Sequence, residues 1–243
     1  MSKTIKLRKG FDIKMQGVAE HIFIQNPMPD SVALKPTDFV GLTAKLAVKE
    51  GDTVLAGEPL FIDKNRPEVQ FTSPVSGVVS AINRGARRAL LNVVVKPDAE
   101  IKYKSFDFGD LDGMNREQVV AAMLEAGVWP FIKQRPFDII ANPNEKPKSI
   151  HISTFDTAPL APDYTFALEE SAADFQVGVN ALRKLTDGVV NLNIYKEDRA
   201  KTTFTQITGV EQNYFTGPHP AGNVGVQIHH IDPIHKGEVV CTL

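Results

Sequence analysis

Cysteine is almost missing from this 243-residue chain: Cys241 is the sole thiol. That excludes an internal disulfide framework and fits a reducing compartment. In "EVVCTL" it reads as a small apolar strand residue, with no base or cation beside it to activate a nucleophile. An excess of charge of one sign is missing too. Lys and Arg number 27 against 29 acids, a formal net charge of −2, so nothing recommends nucleic acid or a polybasic membrane anchor as a partner. The one local excess, "RGARR" at 84–88, reads as a solvated face or a docking patch. Long apolar runs are lacking: none approaches the ~18 residues that span a bilayer. The charged start "MSKTIKLRKGFDIKMQG" has no apolar core of a signal peptide. A soluble, cytoplasmic chain is the expectation. No G-x-G-x-x-G fingerprint, Walker A loop or nucleophile elbow occurs. The paired acids Glu169 and Glu170 read as solvated mid-helix residues.

What is present divides into two textures. The first hundred residues are short strand-like runs between Gly and Pro: "KLAV", "PLFID", "VQFT", "GVVSAI" and "LLNVVVK". A loose internal repeat relates "AVKEG" (47–51) to "AINRG" (81–85) and "PLF" (59–61) to "VVV" (93–95) at an offset of 34 residues. Neither hairpin can bury its apolar face alone, so two hairpins packed face to face are expected. Residues 101–114 read as a linker. "NREQVVAAMLEAGVWP" then carries a helix signature: Asn115 caps with Gln118, Val119, Ala122, Met123 and Ala126 line one face, Gly127 takes the C′ position and Pro130 follows. Beyond residue 149 "SIHIST", the long helical stretch "YTFALEESAADFQVGVNALRKL" and "DGVVNLNIY" form a strand–helix–strand unit with a parallel or mixed sheet. "FTQITGV", "GVQIHHI" and "EVVCTL" read as further strands. The final apolar run suggests a piece of a longer chain.

Three features invite chemistry. Lys64 lies between apolar runs, as the modified lysine of lipoyl and biotinyl carriers does. Lys64 and Gly77 stand thirteen residues apart, Pro67 follows closely and no Met-Lys-Met occurs, so the hairpin is longer than a carrier's minimal turn and an unmodified Lys64 is expected. His219, His229, His230 and His235 lack ligand spacing, and as strand neighbours His229 and His230 would point to opposite faces, so no metal site is expected. "GPHPAG", with Gly217, Pro218, His219, Pro220 and Gly222, imposes a fixed turn: a structural connection, or a rigid loop whose N–H groups hold a ligand.

"FIDK" (61–64), "FTSPVSGVVSAINRGARRAL" (71–90), "EAGVWPFIKQRPF" (125–137), "ISTFDTAPLAPD" (152–163) and "GPHPAG" (217–222) follow one another over nearly the whole chain. Together they resemble the A-subunit family of the sodium-translocating NADH:quinone oxidoreductases. The resemblance implies an α+β chain: an N-terminal all-β barrel-sandwich hybrid of lipoyl/biotinyl type at 1–100, without the modification, then an α/β domain at 115–243. That second domain is similar in turn to the flavin domain of the complex I NADH-binding subunit. Those relatives carry a GxGGAGFPT loop for FMN phosphate. Here "GVWPFIKQRPF" follows Gly127, with Trp129, Phe131, Ile132 and Phe137 where close backbone approach needs glycine, so neither FMN nor an Fe–S cluster is expected on this chain. The resemblance places NAD(H), flavins, a 2Fe–2S cluster and quinone chemistry on other subunits of the complex. It implies a peripheral subunit on the cytoplasmic side of the bacterial inner membrane, partnered by the membrane-embedded B-subunit and the other Nqr subunits. Trp129, Phe131 and Arg135, in the segment that replaces the flavin loop, and His219 are the residue types that a quinone ring and its carbonyls require, and packing of Trp129 and Phe131 in a core is the alternative. The alternatives are a non-catalytic assembly scaffold for the B-subunit and, more distantly, a lipoyl-type carrier.

Overall fold

The computed structural model describes residues 3–17, 19–197 and 202–243, Thr202 by its backbone alone. Packing divides the chain into a β unit, Ile24–Ile132 with Asp138–Ala141, and an α/β unit, Met1–Phe23 with Lys133–Phe137 and Asn142–Leu243. This differs from the expected 1–100, 101–114 and 115–243 at both ends of the β unit. The opening strand, β1 (Thr4–Lys6), pairs in parallel with residues 214–216 and so belongs to the α/β unit. Its three alternating polar and apolar residues are too few to announce a strand. The helix at 115–125 stays with the β unit. Gly127, at φ 72°, ends that helix hard against Thr72, where a Cβ would lie 2.3 Å from Thr72 Cγ2. The start of the expected linker is itself paired: Ala56 N donates to Lys102 O at 3.0 Å and Lys104 N to Ala56 O at 2.8 Å.

The β unit contains two sheets. One has the order β2 (Val32–Leu34), β8 (Leu90–Pro97), β7 (Gly77–Arg84), β4 (Thr53–Val54); the other runs β3 (Ala44–Leu46), β5 (Pro59–Asp63), β6 (Gln70–Thr72). Leu60, Phe61, Val69, Phe71, Val79, Val93 and Val95 are buried, each contributing on the order of 1.5–3 kcal/mol. The repeat survives in the pairing, since β3 pairs with β5 as β7 pairs with β8. Only the second copy is a simple hairpin. In the first, the chain leaves β3 at Leu46, turns at Gly51 and places β4 beside β7 in the other sheet before returning as β5. Helix α1 (Arg116–Glu125) carries the anticipated reciprocal cap between Asn115 and Gln118 and buries Val119 and Val120. The short strands β9 (Lys133–Arg135) and β10 (Ile139–Ile140) follow, β9 in the α/β unit and β10 in the β unit.

In the α/β unit six strands lie in the order β1, β13 (Glu211–Thr216), β12 (Val189–Tyr195), β11 (Ser149–Ser153), β14 (Val240–Thr242), β9. All are parallel except β9, which runs antiparallel to β14. Taken in chain order, β11 to β14 form a 3-2-1-4 arrangement whose direction reverses between β11 and β14. Helix α3 (Ala172–Arg183) joins β11 to β12, and α5 (Val224–Ile231) joins β13 to β14. With right-handed crossovers this puts the two helices on opposite faces.

Several expected elements change character. The stretch 164–185 is not one helix: α2 (Tyr164–Ala167) is capped by Asp163, then Leu168 and Ser171 leave helical geometry, and α3 begins at Ala172. Glu169 and Glu170 therefore sit at the break, in a 3-10 turn. "FTQITGV" is no strand either. Its Phe204 and Thr205 close α4 (Thr202–Thr205), and the strand is the following "EQNYFT". "GVQIHHI" is helical, because Val224, Ile228 and Ile231 recur at helical spacing and Asn223 caps the start through Gly225 N. His229 and His230 are therefore exposed helix neighbours with ring centroids 5.2 Å apart, not strand residues on opposite faces.

Candidate functional site

In open parallel sheets ligands bind beyond the carboxyl ends of the strands, at the point where strand order reverses. Here that edge is formed by the loop after β11 and by the "GPHPAG" loop after β13. Beyond the carboxyl ends of β1, β13 and β11 the protein's own side chains close up: Phe155 packs with Leu7, Phe215 and Ala221 in one buried cluster. Gly222 presses on the loop after β11, and a Cβ there would lie 2.4 Å from Thr157 N. Three of the N–H groups of the "GPHPAG" turn are spent within the protein: His219 N donates to Asp12 Oδ1 at 2.8 Å and Gly222 N to Thr157 Oγ1 at 2.9 Å. Ala221 N and Asn223 N close onto Pro218 O and Pro220 O. The backbone of Gly217, Pro218, Pro220 and Gly222 is thus a clasp rather than an anion cradle.

The ring of His219 remains. Its Nδ1 lies 3.1 Å from Thr157 Oγ1. The Thr157 hydroxyl accepts the Gly222 N–H, and where its own proton turns to His219 Nδ1 the neutral imidazole carries its proton on Nε2. Among the described residues Nε2 has no hydrogen-bond partner. His219 is therefore a half-buried, pre-oriented donor at the carboxyl edge of the sheet, with exposed Phe11 beside it through a 3.0 Å bond from Phe11 N to His219 O.

The other expected quinone contacts are divided between the two units. Trp129, in a 3-10 turn Trp129–Phe131 of the β unit, is 2% exposed and donates Nε1–H to Ala141 O at 2.8 Å. It is a core residue whose polar atom is satisfied. Phe131, two residues on, is 64% exposed. Arg135 lies on β9, paired opposite Val240 at the start of β14, and its Nε donates to Thr242 Oγ1 at 3.3 Å. His219 follows the end of β13, four strands away and at the opposite end of the parallel strands. At about 4.8 Å per strand the two are separated by more than ~19 Å, so one quinone ring cannot touch both. Lys64 sits in the turn after β5, which is tied by the buried carboxylate of Asp63: Asn65 N donates to Oδ1 at 3.0 Å and Arg66 Nε to Oδ2 at 3.1 Å. Arg66 in turn donates to Ile140 O and Ala141 O. This braced six-residue connection contrasts with the free tip of a carrier hairpin.

Sequence reasoning missed a second constellation. On the α5-facing side of the sheet, His151, Asn191, Asn193, Asn213 and Gln227 are all buried. Asn193 Nδ2 donates to Gln227 Oε1 at 2.9 Å, Asn213 Nδ2 to Asn191 Oδ1 at 3.0 Å and Gln227 Nε2 to Ser153 Oγ at 2.9 Å. Both nitrogens of His151 lie 3.4–3.5 Å from the amides of Asn191 and Asn193. Burial holds His151 down at a pKa of about 4, against a smaller upward pull from Asp232 and a further downward push from Lys148. It is neutral at pH 7. The chain does carry a signal for this layer: "HIS" on one strand, "NLN" on the next and a glutamine inside the apolar helix run "VGVQI". Among the described residues no group of His, Cys, Asp and Glu could hold a metal.

Residues 5–98 match the family model described as the NqrA N-terminal barrel-sandwich hybrid domain, and residues 114–243 match the NqrA second alpha/beta domain. The chain belongs to the NqrA family. The A-subunit of the Na(+)-translocating NADH-quinone reductase from Yersinia pseudotuberculosis is 38% identical over 238 residues, covering 97% of this chain and 53% of the relative. The corresponding A-subunit from Serratia proteamaculans is 36% identical over 246 residues, with 97% and 53% covered. That from Neisseria meningitidis is 34% identical over 241 residues, with 98% and 54% covered. The chain thus spans about half the length of the curated NqrA relatives that it matches. Among the described residues no helix is long and apolar enough to cross a membrane.

Proposed function

We propose that this chain forms the peripheral, non-redox A-subunit portion of a sodium-translocating NADH:quinone oxidoreductase, docks with the B-subunit on the cytoplasmic side of the bacterial inner membrane, and contacts quinone at His219. The observation that carries the quinone contact is the Thr157–His219 pair: with the Thr157 hydroxyl donating to Nδ1, Nε2–H is a donor for a quinone carbonyl as that oxygen gains charge on reduction. Phe11 offers an exposed ring for the quinone face. Trp129 belongs to the β-unit core and Arg135 to a different edge, so neither takes part.

FMN does not fit. Gly127 serves a helix end and the contact with Thr72, and Trp129 and Pro130 after it are buried in packing. The loops beyond the carboxyl ends of β11 and β13 are packed against each other through Phe155 and Gly222. Lys64 stays unmodified, because its turn is braced by Asp63 and Arg66.

The test is photo-crosslinking of a quinone analogue in the assembled complex with peptide mapping, paired with His219→Ala. Adducts on the peptides holding Phe11 or His219, and a raised apparent quinone KM with the complex intact, support the contact. Adducts confined to other subunits, with wild-type kinetics in the variant, remove it. The scaffold reading is favoured by a different observation, the exposed apolar side chains of Phe11, Ile13, Met15, Ile22 and Phe23 within one irregular segment. Under that reading, changing Ile13 and Met15 to Ser releases the chain from the B-subunit, and His219→Ala changes nothing.

A further inference from the structure

The tip joining β7 to β8 and the loops before β3 and after β5 enclose an open groove of about 770 Å³ on the β unit. Four of its lining residues are cations, Lys45, Lys64, Arg84 and Arg88, and none is an acid. The chain as a whole has slightly more acids than bases, 29 against 27, so this segregation is local. All four side chains are exposed, and among the described residues none is in an ion pair.

The cationic edge is held by the backbone. Gly85 N donates to Ala89 O at 2.8 Å and closes the tip. Arg84 Nη1 donates to Arg88 O at 3.1 Å. Arg87 and Arg88 take φ values of 55° and 62°, a region that non-glycine residues seldom occupy. Lys64 N donates to Thr43 O at 2.7 Å, fixing the opposite bank. Four like charges around one groove repel one another, and an anion between them relieves that repulsion.

Between the banks the lining is apolar, with Leu42 and Leu46, and two further apolar side chains, Val40 and Leu91, are exposed near the same loops. A cationic rim with an apolar floor suits an anionic amphiphile. An acidic peptide would satisfy the rim and leave the leucines in water. We propose that this groove binds an anionic phospholipid, its phosphate held by Arg84, Arg88 and Lys64 and its upper acyl segment laid along Leu42 and Leu46. Arginine is suited to the head because its planar fork matches phosphate oxygens in pairs. The site belongs to the β unit and is independent of the quinone contact at His219.

Flotation of the 243-residue chain with vesicles tests this. One set is phosphatidylcholine alone; the other contains about one-fifth phosphatidylglycerol, enough to give the surface a negative potential. The chain should float with the anionic set, leave it as salt rises, and ignore the neutral set. Arg84→Glu with Arg88→Glu should cut partitioning at least ~10-fold, whereas Lys196→Glu with Lys236→Glu, an equal change in net charge at other exposed lysines, should not. Thermal melts by circular dichroism establish that both double variants fold. Equal flotation with neutral vesicles, an equal loss in both double variants, or unchanged binding by the groove variant overturns the proposal. So does binding of soluble glycerol phosphate or polyglutamate to the groove with no flotation on either vesicle.

Discussion

Around β5 and β8 the β unit buries Leu60, Phe61, Phe71, Val93 and Val95, and Phe61 stacks on Phe71 with ring centroids 5.0 Å apart. On the α5-facing side of the α/β sheet the same depth is occupied by His151, Asn191, Asn193, Asn213 and Gln227. Apolar packing degrades gradually, since a neighbour can shift into part of a lost volume. A buried hydrogen-bond network does not, because each deleted member strands its partners away from water. Among the described residues, two buried oxygens of the α/β unit are already at that limit, Asn213 Oδ1 and Thr165 Oγ1, neither with a hydrogen-bond partner. The two units should therefore answer similar substitutions very differently.

The sharpest form of the contrast uses near-isosteric changes. Asn193→Leu strands Gln227 Oε1 and takes the amide partner from His151 Nδ1. Two stranded groups at about 1–3 kcal/mol each predict a loss of ~3–4 kcal/mol. Leu60→Met, at an equally buried site, should cost less than ~1.5 kcal/mol. The sole tryptophan makes the units separable: Trp129 fluorescence reports the β unit, and far-UV circular dichroism is weighted to α3 and α5. Urea titrations followed by both probes should show Asn193→Leu moving the dichroism transition first. Equal shifts for the two variants would end the comparison.

Acid should expose the same difference. His151 carries a pKa of about 4 in the folded unit against an ordinary 6.5. Between these values the unfolded chain binds the extra proton, so stability falls as pH drops from about 6.5 to about 4 and is flat above. The depression corresponds to roughly 3 kcal/mol over that window. His151→Gln removes the titration and should flatten this part of the α/β curve, although the variant starts less stable. The Trp129 signal should stay level across the same pH range. A β-unit transition that falls in parallel would show that His151 is not the cause.

How much of this is legible in the chain follows from what each segment's neighbours are. The α1 cap between Asn115 and Gln118, the β runs and the strand nature of "EVVCTL" are local properties, and the chain states them locally. The polar layer is not. On β12, Val190, Leu192 and Ile194 alternate with Asn191 and Asn193, and such alternation means a strand with one wet face unless something covers it. What covers it is α5, which itself reads as a strand because "GVQIHHI" is rich in β-branched residues. One misassigned period thus conceals both the helix and the network beneath it. Trp129, Phe131, Arg135 and His219 match the chemistry of a quinone pocket by type, but the separation of Arg135 from His219 is set by sheet order, with β9 at one edge and β13 four strands away. Only His219 keeps a geometry that can present a donor.

The smallest effect is expected where the polar layer reaches the solvent. At the start of β11, Lys148 Nζ lies 2.8 Å from Asp232 Oδ1 and 2.6 Å from Glu238 Oε2, and Ser149 Oγ donates to Asp232 Oδ2 at 2.6 Å. Hydrogen bonds to Asp232 and Glu238 hold Lys148 above the ordinary lysine value. Burial pushes Asp232 up, but the bonds from Lys148 and Ser149 outweigh it and leave the carboxyl below its usual 3.8. Glu238 is lowered from 4.5, first by Lys148 and then by the His235 N–H. These side chains are about one-third exposed, so water screens the group and Lys148→Met should cost only about 1 kcal/mol. Salt should shrink that cost, whereas the Asn193→Leu loss should be unaffected, since no charge is involved. The pH sign is also fixed. Carboxylates depressed in the folded state stabilise it above their unfolded values, and that contribution is lost as pH falls through the folded ones. The gap between wild type and Lys148→Met should therefore hold at pH 6–7 and close below about pH 4, after the His151 window has been crossed. A gap that persisted in acid, or that ignored salt, would mean that the Lys148 stem packs rather than pairs.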